Sequence, residues 1–327
     1  MDASSQAQKK LVTIVCPVFN EEQAVPLFYE RLKAALAPME AEGKVGFEIL
    51  FVNNRSTDGT EAAVLKLRET DPRVQLLTMS RNFGYQASIS AGMRHASGDA
   101  IVNIDVDCED PPEMIPQFVE RWLAGADVAY GIRAHREEFV LMHLARKLFY
   151  RVTRGVSDHD IVLDMAEFFL VDKRVRDYVL STRSTFPFVR GQTGFVGFKR
   201  EGIPYKRQKR IIGETHYNLL SAIRFGVAGI LSSSTMPLRV LAYVGVTLFL
   251  ADIAAAIAVV ASWKLAHASD LLLGGLVLTV LHLGWIALAL GTIGIYLARV
   301  YKDTMSLPLY VADEKHSTIP VRPHGRN

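Results

Sequence analysis

Two stretches late in the chain, residues 240–263 and 271–298, are each apolar over more than twenty residues. Crossing a bilayer takes roughly 20 mostly apolar residues. In lipid the backbone must satisfy its own hydrogen bonds, so each stretch is expected to be an α-helix. Only residues 264–270 lie between them, which predicts a helical hairpin across residues 238–299. Arg224 and Arg239 precede the first stretch, and Arg299 and Lys302 follow the second. The connecting loop carries Lys264 alone as a basic residue. Positively charged flanks face the cytoplasm, so both termini and everything before the hairpin are expected on that side of the cell's inner membrane. Two helices bury little surface alone, so association into a homo-oligomer is expected.

Asp252 interrupts the first stretch near its middle, where an unpaired charge costs several kcal/mol. His282 in the second stretch falls within about one helical turn of the same depth at a rise of about 1.5 Å per residue. The two are expected to pair, within one hairpin or between subunits.

The rest of the chain has a different character. Half of the 327 residues are hydrophobic and the net charge is +3, too small a charge to argue for nucleic acid. Residues 1–10 are polar, lack the apolar core of a signal peptide, and are expected to be disordered. Residues 300–327 are expected to be a cytoplasmic tail, loose from about Ala312 onward. Cys16 and Cys108 are the two cysteines. Both fall in or beside buried strands, so no disulfide is expected.

Residues 11–237 read as one α/β domain. Residues 11–17 (LVTIVCP) form a near-continuous apolar run, as in a strand buried on both faces. Further strands are predicted at residues 47–52, 74–79, 100–104 and 128–130, with helices over residues 23–39, 60–69 and 85–95. Strands alternating with helices imply a mostly parallel sheet, and such sheets bind ligands at the carboxyl ends of their strands. Polar clusters stand at four of those ends: Asn20-Glu21, Asn53-Asn54, Arg81-Asn82 and Asp105-Val106-Asp107. The last continues as Cys108-Glu109-Asp110. Carboxylates this crowded repel one another unless a cation neutralises them. Mg²⁺ takes one or two protein carboxylates and fills its remaining positions with phosphate oxygens and water.

Two basic segments follow. Residues 143–154 (HLARKLFYRVTR) alternate basic and apolar side chains at helical spacing, including Arg146, and read as an amphipathic helix on a membrane surface. Residues 215–230 are a second interfacial candidate. Residues 199–210 hold Lys199, Arg200, Lys206, Arg207, Lys209 and Arg210. They read either as a solvated loop or as a phosphate-binding, membrane-facing one.

Taken together these motifs resemble the family 2 glycosyltransferases of GT-A fold, in particular the branch that glycosylates polyprenyl phosphates. The resemblance runs over residues 11–311. It rests on Pro17-Val18-Phe19-Asn20-Glu21-Glu22, Ser56-Thr57-Asp58-Gly59-Thr60, Ser80-Arg81-Asn82-Phe83-Gly84, the acidic run with Pro111-Pro112-Glu113, Arg190-Gly191, Gly197-Phe198, and Arg207, Arg210, Gly213, Glu214 and Tyr217 ahead of the hairpin. It implies an inverting transfer of one sugar from a UDP- or GDP-linked donor to a polyprenyl monophosphate. Pro17, Phe19, Glu21, Asn53, Asn54, Arg81, Asn82 and Asp105 would bind the donor. Asp105, Asp107 and, from its position, Glu109 would hold Mg²⁺ or Mn²⁺. Asp107, Glu167, Arg207 and Arg210 would carry the reaction, with Arg207, Arg210 and Arg146 on the lipid phosphate.

Three places depart from the family pattern. Asn53-Asn54-Arg55-Ser56 stands for Asp-Asp-Gly-Ser, and Glu109 for Gln. Ala166-Glu167-Phe168-Phe169-Leu170 stands for Gly-Asp-Phe-Arg-Leu. The loss of Arg at Phe169 removes a cation from near the phosphates, and its ring is expected either to be incidental in a strand or to pack on a different donor sugar. The alternatives to an ordinary transferase are a catalytically silent membrane scaffold or an enzyme with an unusual donor.

Overall fold

The computed structural model describes residues 9–133, 165–181, 189–208, 210, 235–262, 268–305 and 307–321. Arg146 and the amphipathic segments 143–154 and 215–230 lie outside these residues.

The chain folds into two units, one holding the sheet together with residues 307–327, the other the two long apolar helices. The first contains a seven-stranded sheet in the order β3-β2-β1-β4-β6-β5-β7. Its strands are β1 (Lys10–Val18), β2 (Val45–Asn53), β3 (Val74–Thr78), β4 (Ala100–Asn103), β5 (Val128–Arg133), β6 (Met165–Asp172) and β7 (Arg200–Tyr205). β1 runs parallel to β2 and β4, and β3 parallel to β2. β6 alone is reversed, pairing antiparallel with both β4 and β5. The mostly parallel sheet expected from the sequence is therefore present. β7 corrects one expectation: the first half of the basic segment 199–210 is a strand parallel to β5 rather than a loop.

The apolar run of β1 shows why the sheet is buried on both faces. Val12, Ile14, Cys16 and Val18 point to one core and Val15 to the other. Helix α1 (Ala24–Ala41) closes the first core with Ala24, Val25, Phe28, Tyr29, Leu32, Leu36 and Met39, spaced three to four residues apart on one helical face. Each large side chain so buried contributes about 1.5–3 kcal/mol. Helices α2 (Thr60–Thr70) and α4 (Ile115–Leu123) cover the same face, and α3 (Tyr85–His95) covers the other. A Cβ at Gly92 would collide with the Val15 side chain, so glycine is what lets α3 lie this close to β1. α5 (Lys173–Ser181) and α6 (Val189–Phe195) complete the second core.

The C-terminal residues are not a loose tail. Tyr310 is fully buried in the second core, Ala312 bridges to Met79, and Leu309, Ile319 and Val321 pack alongside. The apolar residues interspersed in this polar segment give it a face to bury.

The second unit contains α7 (Met236–Ser262) and α8 (Ala268–Thr304). Both are long and apolar enough to cross a membrane. Asp252 Oδ2 lies 2.8 Å from His282 Nε2, so the expected polar pair forms between the two helices of one chain.

Candidate active site

The carboxyl ends of β1, β2 and β4 lie on one rim. Strand order reverses between β1 and β4, where a parallel sheet opens a crevice for a ligand. β6 runs the other way, so its beginning, with Glu167, reaches this rim.

Hydrogen bonds knit the polar clusters into a continuous frame. Asn20, held at a positive φ of 58°, accepts from the Thr57 amide at 2.8 Å, and its own amide donates to Ser56 Oγ at 3.0 Å. The Glu21 amide donates to Thr60 Oγ1 at 2.8 Å. Asn53 Oδ1 accepts from the Ser56 amide at 2.9 Å. Asn54 Oδ1 accepts from the Phe83 amide, and Asn54 Nδ2 donates to Asn82 Oδ1, each at 2.9 Å. Asn53 and Asn54 are buried with both ends of their amides engaged in these turns. They shape the rim through its loops. Pro17 is buried within β1, whereas Phe19 and Arg81 are exposed on the rim, the Arg81 guanidinium 3.8 Å from the Phe83 ring centroid.

The acidic run resolves into four carboxylates with four sets of partners. Asp105 Oδ1 accepts from the Tyr85 hydroxyl at 2.7 Å. Asp107 Oδ1 accepts from the Glu109 amide at 3.0 Å, and its Oδ2 accepts from Arg210 Nη2 at 2.9 Å. Glu109 pairs with Arg207. Asp110 turns inward, accepting from the Tyr205 hydroxyl and from Arg133 Nη2 at 3.3 Å. The turn that separates them runs through Cys108, at a φ of 57°.

Electrostatics follow this division. Burial pushes the Asp105 carboxyl up to about 7, against the Tyr85 hydrogen bond, with Asp107, Asp110 and Glu167 adding to the rise. Burial also raises Glu167, offset in part by the Arg190 charge and the Gln86 hydrogen bond. Glu21 is raised by burial and lowered by Arg210. Glu167 Oε2 and Asn103 Oδ1 are buried without a hydrogen-bond partner. The crowded carboxylates of Asp105 and Asp107, the latter shared with Arg210, fit a divalent cation held together with a diphosphate. Glu109 is paired with Arg207 as Asp107 is with Arg210, and among the described residues no group of three His, Cys, Asp or Glu side chains is placed to hold a metal ion.

The structure decides between the two readings of Phe169. Its ring is fully buried in the second core, so it packs on neither sugar nor phosphate. Two other cations act on Glu167. Arg190 of α6 donates to the Met165 carbonyl at 3.0 Å and acts on Glu167, as does Arg133 of β5. Tyr85, Gln86 and Arg133 are the rim residues that sequence reasoning missed, while Arg190 carried the resemblance without a role at the site. Tyr85 and Gln86 open α3 directly after a rim cluster, a signal that was available.

This rim belongs to a sugar-transferring enzyme, and the chain belongs to glycosyl transferase family 2, whose model matches residues 13–178. An uncharacterized glycosyltransferase of Bacillus subtilis is 35% identical over 309 residues, covering 93% of this chain and 94% of that protein. The SfII prophage-derived bactoprenol glucosyl transferase of Shigella flexneri is 33% identical over 321 residues, covering 94% and 99%. Among solved structures, a mannosyltransferase of Pyrobaculum calidifontis in complex with GDP-Man and Mn²⁺ superimposes with a TM-score of 0.47 at 17% identity, covering 91% of this chain and 88% of that one.

Proposed function

We propose that this glycosyltransferase moves a single sugar from a nucleotide-sugar to a polyprenyl monophosphate at the cytoplasmic face of the membrane. The observation that carries this reading is the seating of Arg210 on Asp107 and of Arg207 on Glu109. Two guanidinium groups able to grip a phosphate thus stand directly beside the carboxylates suited to a metal diphosphate. The bactoprenol-transferring relatives, similar over nearly their whole length, support the same acceptor class. The two apolar helices would hold the enzyme where such a lipid is found, as a multi-pass protein with both termini in the cytoplasm.

In this reading the nucleoside lies over the ends of β1 and β2, near Phe19 and the turns framed by Asn53 and Asn54. Asp105 and Asp107 would hold Mg²⁺ or Mn²⁺, which when bound neutralises charge on the departing nucleoside diphosphate. An acceptor phosphate oxygen attacks the anomeric carbon as the bond to the diphosphate breaks on the opposite side, so the configuration inverts. Phosphate is already anionic at neutral pH, so positioning and electrostatics carry the rate rather than a strong base. Arg207 and Arg210 orient the acceptor, and Arg190 holds the charge of Glu167 beside the rim.

The test is incubation of the purified full chain with Mg²⁺ or Mn²⁺, a polyprenyl phosphate and a panel of UDP- and GDP-sugars. The expected product is a lipid-linked monosaccharide of inverted anomeric configuration from one donor. No lipid-linked product from any donor would overturn the proposal.

A further inference from the structure

The C-terminal residues that return to the catalytic domain do so at its most exposed edge. β3 is the terminal strand of the sheet, and β2 uses only its inward-facing backbone groups. Residues 311–318 satisfy the outward-facing ones. Thr318 Oγ1 accepts from the Leu76 amide at 2.8 Å, and Ser317 Oγ accepts from the Thr78 amide at 3.0 Å. The Val311 carbonyl accepts from the Ser80 amide at 2.8 Å. In return the amides of Asp313 and Thr318 donate to the carbonyls of Thr78 (2.7 Å) and Leu76 (2.8 Å). Covering an edge is common in stable sheets, and by itself says nothing about activity.

The same segment also grips the turn after β2 at two points. Arg55 Nη1 donates to Asp313 Oδ2 at 3.0 Å. His316 Nδ1 lies 2.8 Å from Glu61 Oε1, and Glu61 Oε2 accepts from Asn53 Nδ2 at 3.3 Å. Arg55 has a φ of 60°. A residue with a side chain holds that conformation only where its surroundings over-determine it, and such places gather at binding sites. Strand order then says which part of a ligand this turn meets. The carboxylates lie at the end of β4, on one side of β1, and β2 and β3 lie on the other. A diphosphate at the carboxylates leaves its nucleoside running over β1 toward the turn 53–61.

We infer that Asp313 and His316, carried on the segment that covers β3, are a working part of the donor site, setting its affinity for the nucleoside diphosphate half of a nucleotide-sugar. Asp313, through Arg55, and His316, through Glu61 and Asn53, are positioning residues that hold the turn in its binding form. The inference rests on the nucleotide-sugar reading above.

The experiment titrates UDP and GDP, each with Mg²⁺, into the full chain in detergent, and measures separate KM values for donor and acceptor. Asp313→Ala and His316→Ala are each expected to weaken binding of the preferred nucleotide and raise donor KM by about tenfold, the worth of a charge-assisted hydrogen bond. kcat and acceptor KM should stay within about twofold of wild type. The Asp313→Ala effect should vanish in an Arg55→Ala background, because the two act as a unit. Thr318→Val loosens the edge alone and should lower Tm without changing nucleotide affinity. Unchanged nucleotide affinity in Asp313→Ala and His316→Ala, with wild type binding normally, would overturn the inference and leave the proposed function standing. An equal loss of affinity in the edge variant would also overturn it, by reducing the segment to a structural cover. A wild-type chain that binds neither nucleotide and transfers no sugar would remove both.

Discussion

Two aspartates at opposite rims of one sheet have opposite surroundings. Asp71 precedes β3 at the amino-terminal rim. It accepts from the Tyr29 hydroxyl at 2.8 Å and from Arg73 Nε and Nη2 at 2.8 and 2.6 Å, and Arg73 also pairs with Glu40. The Arg73 hydrogen bonds, chiefly, hold its carboxyl down at about 2. Asp105 follows β4 at the carboxyl-terminal rim, with a tyrosine hydroxyl on one oxygen and three other carboxylates acting on it. The first rim satisfies its charge and gains stability. The second leaves its charge wanting a cation, the condition that marks a functional site rather than a structural one.

Breaking the second rim should abolish activity and spare the fold. Asp107→Ala is expected to lower kcat by about 10²–10³-fold, the scale of losing a group that stabilises developing charge, with Tm little changed. Activity equal to wild type would remove Asp107 from the reaction. Breaking the first rim should do the reverse. Asp71→Ala removes the hydrogen bonds to Tyr29 and Arg73 and leaves Arg73 on Glu40 alone, and should cost about 1–3 kcal/mol in denaturant unfolding, with donor and acceptor KM unchanged. The pH dependence sharpens the contrast. The Asp71 carboxyl is depressed in the folded state, so its stabilisation is fully present above about pH 4 and is lost as pH falls toward 2. That loss is about 2 kcal/mol, and it should be missing from the acid-unfolding curve of Asp71→Asn. The last test is Asp105→Asn, which removes a charge disfavoured by partial burial and by its carboxylate neighbours. In metal-free protein at pH 8 it should raise stability while activity falls.

What the sequence made legible was set by local chemistry. β1, β2, β3 and β4 were readable because fully buried strands must be continuously apolar, and the Tyr85–His95 helix because its boundaries are marked by Gly84 and a change of pattern. The four rim clusters were readable because strand ends in a parallel sheet are where polar residues interrupt apolar runs. Long-range pairing was not readable. Arg207 and Arg210 meet their carboxylates across about a hundred residues of chain, and nothing local to either end announces it. Phe169 stayed open for the complementary reason: its motif position suggested a ligand contact, while the strand's alternation puts its ring in the core beside Val171. The 307–321 segment was misjudged because its polar and proline content outweighed the few apolar residues that bury it.

That segment gives the enzyme a particular order of completion. Residues 311–318 are synthesised after both long apolar helices, so during translation β3 waits with its outer edge bare while the hairpin is made. Exposed strand edges invite pairing with other chains. The catalytic domain is thus finished last, by a piece made after both long apolar helices, and a chain that stalls before them is left with an open sheet edge.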